Sequence, residues 1–402
     1  MKRILLGIGL LTLSLTSQAL DQWDFSARVA VTAAAVAGRY HHLEGAGRKH
    51  IAVSPTRVAV TWEDDRSGDP QVYLSLKKRA HDHFSNALQL STGTEAYEPA
   101  IDWIDDERFI TTWEQDGAVF ARSVDQQQVG KPLQLSTQAS SQISVAANGA
   151  EQIYCVWREQ RQRSWNLVVA RLGVDETGNL SILSRHQVEQ QDSPTPVLFP
   201  SISVNQAGIN IAWEDRQAGH TRLKHSFSAD QAQSFSAPQY LNEFHSNRNQ
   251  YDKGSGVTRV SLAAYGTDET VAAWMDKRRG NVGYGIFAAL GSGDSFGPNE
   301  KVHGPKGDAQ PHYNPATAGN KDGDFIVAWD DFRNGTSDIW ISGYNDEGEW
   351  SKDRTPAPAS GSAEQTHPSV ALDARGDLHL LWIERSSVDA PTRLWYSHGQ
   401  RK

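Results

Sequence analysis

An apolar run ending in tryptophan returns seven times along this chain, and no other feature narrows the possible folds so far. The runs span 58–62, 109–113, 153–157, 209–213, 270–274, 325–329 and 378–382, closing on Trp62, Trp113, Trp157, Trp213, Trp274, Trp329 and Trp382. Successive tryptophans lie 51, 44, 56, 61, 55 and 53 residues apart. Each interval holds four short strands and their turns, the unit of a propeller blade.

The copies share one internal order. Strand A opens on a proline followed by small and β-branched residues, as in Pro200-Ser201-Ile202-Ser203-Val204 and Pro368-Ser369-Val370-Ala371-Leu372. A turn such as Asn205-Gln206-Ala207-Gly208 or Lys321-Asp322-Gly323-Asp324 follows, supplying the positive φ of tight hairpins. Strand B is the tryptophan run, continuous in apolar character and therefore buried on both faces. Strand C alternates polar and aromatic residues, as in Gln71-Val72-Tyr73-Leu74. Strand D follows pairs such as Phe84-Ser85 and Phe235-Ser236. The last copy ends after strand C, at 393–397, while Trp23-Asp24-Phe25-Ser26 near the start carries the strand D pattern. The expectation is an all-β, seven-bladed β-propeller of four-stranded blades, its last blade closed by the N-terminal strand. Closure also removes sheet edges that would otherwise recruit other chains.

Residues 1–19 read as a secretory signal peptide: Lys2 and Arg3, an apolar stretch over 4–15, then Ser17-Gln18-Ala19. The mature chain, 20–402, is expected to be one propeller domain in the periplasm or secreted, monomeric, and without membrane insertion. Loss of Lys2 and Arg3 moves the formal charge from −9 to −11, which disfavours nucleic acid as a general partner. The sole cysteine, Cys155, leaves the fold without an internal disulfide. No cofactor is expected. His41-His42 and His81-Asp82-His83 lack metal-site spacing and read as surface histidines, and Asp322-Gly323-Asp324 lacks the remaining ligands of a calcium loop.

Ser228-Ala229-Asp230-Gln231-Ala232-Gln233-Ser234-Phe235 resembles the Asp box, Ser-x-Asp-x-Gly-x-Thr-Trp, with changes at its last three fixed positions. Residues 345–350, ending Gly348-Glu349-Trp350, and Ser123-Val124-Asp125 are shorter remnants. On these motifs the chain resembles the sialidase-like (BNR/Asp-box) β-propeller superfamily, in which the motif staples a hairpin remote from chemistry. Sialidases of that superfamily have six blades and an Arg-Ile-Pro motif near the start; this chain has seven tryptophan strands and no such motif. Some seven-bladed polysaccharide lyases use His, Tyr and Arg, residue types plentiful here.

The loops between strands B and C repeat an acid–Arg theme: Glu63-Asp64-Asp65-Arg66, Glu214-Asp215-Arg216, Asp276-Lys277-Arg278-Arg279, Asp330-Asp331-Phe332-Arg333. Repetition favours bracing, because a catalytic residue is needed once. Departures from the pattern are the better guide to a site. The longest connection carries His245, Arg248, Asn249, Tyr251 and Asp252; beside it lie Arg278 and Arg279, then His312, Tyr313 and Asn314, and then His367. His245, Tyr251, Asp252, His312 and Asp330 are the candidates for acid–base or nucleophilic work. Arg248, Asn249, Arg278, Arg279, Tyr313, Asn314 and His367 are those for holding a sugar's hydroxyls and carboxylate. The functional expectation is an exported, sialidase-like propeller that binds an acidic glycan, with or without cleavage by hydrolysis or elimination. The alternative is a non-catalytic periplasmic scaffold whose partner is an envelope protein.

Overall fold

The computed structural model describes residues 22–33, 35–189, 197–217, 219–243, 256–278, 282–344 and 348–402. It is an all-β, seven-bladed propeller, and each tryptophan strand is strand B of one blade. In order, strand B spans Arg57–Asp64, Phe109–Gln115, Ile153–Arg161, Ile209–Asp215, Glu269–Asp276, Phe325–Asp331 and Leu378–Arg385. All seven tryptophans are fully buried and fill the seams between neighbouring sheets. Among the described residues, no helix is long and apolar enough to cross a membrane.

The ring closes as the sequence anticipates. Trp23–Phe25 pairs antiparallel with the last strand, Arg393–Arg401, in the register Trp23↔Arg401 and Phe25↔Gly399, and Val29–Ala30 pairs farther along it. Trp23 is 7% exposed, packs with Ile341, Val370 and Trp382, and donates its indole N–H to the Gly376 carbonyl at 2.8 Å. Cys155 is buried, and burial pushes its thiol pKa far up, so closure rests on strand pairing and packing.

The acid–Arg theme resolves into braces. In four blades the tryptophan indole donates to the carboxylate two residues on, Trp157 to Glu159 at 3.3 Å among them, and three of these build one and the same brace: Trp62 to Asp64 (2.8 Å), Trp274 to Asp276 (3.1 Å) and Trp329 to Asp331 (3.0 Å). That carboxylate in turn pairs with an arginine two residues further, Arg66, Arg278 or Arg333. The guanidinium then lies over a strand C aromatic, Tyr73, Phe287 or Trp340, within 4.2 Å of the ring centre. Each element satisfies the next, so no charge is buried alone. The 228–235 turn is likewise self-contained: Ser228 Oγ and the Ser234 N–H both donate to Asp230 Oδ1, at 2.9 Å. His41 departs from expectation. It is buried, its N–H donates to Thr392 Oγ1 at 2.6 Å, and burial lowers its pKa to about 4.

Candidate functional site at the channel mouth

Strand A lines the central channel, and in six blades it breaks register at the same place. The break falls between Tyr97 and Ala100, Ser141 and Ser144, Leu198 and Ser201, Thr258 and Ser261, Tyr313 and Ala316, and Thr366 and Ser369. The first residue of each break has positive φ: Glu98, Gln142, Phe199, Arg259, Asn314 and His367. Such bulges re-aim one side chain at the cost of local strain. The strain is anchored from the preceding blade in five cases. Glu63, Glu114, Gln142, Glu214 and Asp330 accept the backbone N–H of Glu98, Gln142, Phe199, Arg259 and His367, respectively.

Blade 1 replaces the bulge with an insertion. His41–His42 and Ile51–Val53 both pair with its strand B, and residues 43–50 leave the sheet between them. This loop reaches strand A of every other blade. Arg48 pairs with Glu98 at 2.9 Å, and the Ile101 N–H donates to the Lys49 carbonyl at 2.9 Å. Ser144 Oγ contacts the Gly47 carbonyl, Glu44 pairs with Arg259, and the His50 N–H donates to Ser369 Oγ at 3.0 Å. Gly45 and Gly47 pass closest: a Cβ on Gly45 would lie 2.8 Å from Asn314 Oδ1, and one on Gly47 2.5 Å from the Val260 carbonyl and 2.6 Å from Ser201 Oγ. The loop therefore plugs the channel, and the six bulge side chains, all half-buried, ring the plug at its mouth.

Electrostatics divide this mouth. On one side Arg48 lies fully buried with Nη2 2.9 Å from Glu98 and 3.8 Å from Glu114. Burial, and then the charge of Glu98, raises the Glu114 pKa to about 7. On the other side the Arg259 guanidinium stacks 4.8 Å from the Phe199 ring centre, and Lys277 Nζ lies 4.5 Å over Tyr284, itself edge-on to Tyr313. His367 faces His42 at 6.4 Å between ring centres, its pKa lowered to about 4 by burial, and its Nδ1 has no hydrogen-bond partner among the described residues.

Of the residues marked out by sequence, Tyr313, Asn314 and His367 come together at this mouth. Asp330 is buried behind them, accepting from Asn314 Nδ2 at 2.8 Å and from the His367 N–H at 3.0 Å. Burial raises its pKa to about 7. His312 is fully buried, its ring tilted against that of His303 with centres 4.0 Å apart and its Nδ1 2.9 Å from Asp331; it belongs to the brace of blade 6. Arg278 is held by Asp276 and by Asn299 at 2.8 Å. His245, Arg248, Asn249, Tyr251, Asp252 and Arg279 lie outside the described residues. Sequence reasoning passed over Arg48, Glu98, Glu114, Gln142, Phe199 and Arg259. Four of the six bulge residues, Glu98, Phe199, Asn314 and His367, stand directly before the proline of strand A, a position that reads as extended chain and does not announce a bulge.

No family model matches the chain, and no curated protein matches it in sequence. Solved structures do resemble it. A polysaccharide lyase of family PL25, an ulvan lyase, superposes with a TM-score of 0.59 at 10% identity, covering 92% of this chain and 94% of the lyase. A protein of unknown function from Dyadobacter fermentans DSM 18053 gives 0.55 at 10% identity, covering 95% of this chain and 100% of its own. The β-propeller domain of the Trilobed protease from Pyrococcus furiosus gives 0.51 at 9% identity, covering 91% and 96%. At such identities the likeness is one of fold: this chain shares the propeller architecture of these proteins.

Proposed function

We propose that this is an exported, sialidase-like propeller that binds an acidic glycan at the channel mouth and cleaves it there. One observation carries the reading. The backbone position of the bulge repeats in six blades, yet its side chains are Glu98, Gln142, Phe199, Arg259, Asn314 and His367, no two alike. Braces repeat because they serve the fold; side chains that diverge on a repeated, strained backbone serve something needed once. Their mixture of amide, aromatic, cation and acid suits sugar hydroxyls, sugar faces and a uronate carboxylate. Lys277 offers charge to that carboxylate, and Arg259, braced by Glu44, stands beside it as a second cation. Glu114, its pKa raised to about 7 chiefly by burial, holds a proton in the neutral range and can donate it, and His367, its pKa lowered to about 4, is a neutral proton acceptor there. The ulvan lyase of the same fold has been seen bound to a GlcA(1-4)Rha3S repeat, so the scaffold accommodates such chemistry.

The test incubates the purified protein with sialosides and acidic polysaccharides and reads products by mass spectrometry. Products carrying an added water identify a glycosidase, and unsaturated products a lyase; either should disappear in E114Q. No binding of any acidic glycan, beside control enzymes that work, refutes the reading and leaves the envelope-protein scaffold.

A further inference from the structure

The plug that closes one end of the channel turns the other end into a blind well. Its volume is about 920 Å³, and it opens on the opposite face, among the turns that join strands A and B. Its wall is the second half of every strand A, rich in small residues such as Ala146, Ala263 and Ala371. Lys49 of the plug forms part of its lining, and at one side the well runs into the crevice between blades 7 and 1.

The charge of this lining opposes that of the whole chain. Lys49, Lys77, Arg79, Lys321 and Arg375 face Asp102 and Asp373, within a protein of formal charge −9. Several of these are already matched: Lys49 with Asp102 at 3.4 Å, Arg79 with Asp373, and Arg375 with Asp377 at 3.0 Å. Lys77 is not. It is 6% exposed, and its ammonium donates only to the carbonyls of Lys78 (3.4 Å) and Arg79 (3.2 Å), with no carboxylate within 4.0 Å among the described residues. Burial lowers its pKa. Beside it, His379 is 2% exposed; its Nδ1 meets the Tyr396 hydroxyl at 2.7 Å, while Nε2 stands 3.7 Å from Asp373, beyond hydrogen-bond reach. Elsewhere on the wall, Ser203 Oγ is also buried without a partner among the described residues. A buried ammonium that no carboxylate touches, with only the exposed Asp82 acting on it from farther off, and two buried polar atoms without hydrogen-bond partners among the described residues cost free energy that a bound anion offsets.

We propose that the well is a second ligand site, separate from the channel mouth, for a compact organic anion whose carboxylate or sulfate group sits against Lys77. Because the plug closes the inner end, the well admits a free molecule or a chain end and never a threaded polymer. The volume suits a ligand of one to a few sugar-sized units.

Calorimetric titration of the purified full chain at pH 7 and low salt tests this, with citrate and inorganic sulfate as anionic probes and maltotriose as a neutral one. Saturable binding of at least one anion is expected, with none for maltotriose. K77M should weaken it at least tenfold and the exposed rim variant K321E about threefold, whereas the mouth variant R259M/K277M should leave it unchanged. Absence of anion binding overturns the proposal, as does binding that survives both K77M and K321E. Binding lost only in R259M/K277M assigns the anion to the mouth and also overturns it. Failure of the glycan reading at the mouth leaves every one of these outcomes as it stands.

Discussion

Replacing Trp23 by alanine tests whether the N-terminal strand holds the ring shut. The side chain is 7% exposed in the seam of blades 6 and 7, and its indole N–H satisfies the Gly376 carbonyl. Removing a buried aromatic of this size from a core costs about 3–5 kcal/mol. The lower end applies here, because a three-residue strand near the terminus can relax into part of the space. About 3 kcal/mol raises the population with the strand detached roughly a hundredfold. The neighbouring Asp24 is a control: it points outward, and its contact with Lys402 at 3.0 Å joins two exposed side chains, so D24A should fall within about 0.5 kcal/mol of wild type. Urea denaturation followed by tryptophan fluorescence gives the stabilities. Limited proteolysis reads detachment directly, as faster cutting in 26–40, and light scattering reads association through the freed edge of Arg393–Arg401. A W23A protein within 1 kcal/mol of D24A, with unchanged proteolysis, would refute non-covalent closure as the source of the ring's integrity.

Two further outcomes follow from buried carboxyls. D331A strips His312, Arg333 and the Trp329 indole of a shared acceptor, and should cost about 3–5 kcal/mol in thermal or urea unfolding. Asp330 has its pKa raised to about 7, chiefly by burial, so its native form holds the proton that the unfolded chain releases near 4. Between about pH 4 and 7 the native state binds more protons, and this group makes stability fall as pH rises; D330N should flatten that slope, and an unchanged slope in the variant would contradict the assignment.

Much of the fold was legible because its signals are local. Seven tryptophan strands, turn residues at fixed offsets and a displaced strand D pattern each lie within a few consecutive residues. The braces were legible as a theme for the same reason, since Asp64 and Arg66 or Asp331 and Arg333 are two residues apart. The mouth was legible only in part. Tyr313, Asn314 and His367 stood out as pattern breaks, but Arg48 meets Glu98 and Glu114 across 50 residues or more, a pairing that no local pattern encodes. The bulges hide similarly, because a residue before proline reads as ordinary extended chain whichever way its side chain is aimed. His41 read as a surface residue because His41-His42 fits no metal-site spacing; a two-residue strand bonded to Thr392, 351 positions away, buries it.

The loop of residues 43–50 acts as a gauge of circumference. Touching strand A of all six other blades, it spans one diameter and no other. A ring gaining a blade by duplication would carry Glu98 and Arg259 away from Arg48 and Glu44, and one losing a blade would drive Gly45 and Gly47 into the opposing backbone. Here the lineage would have to rebuild its hub before it could recount its blades, so the number seven is written into eight residues of one loop as firmly as into the repeats themselves.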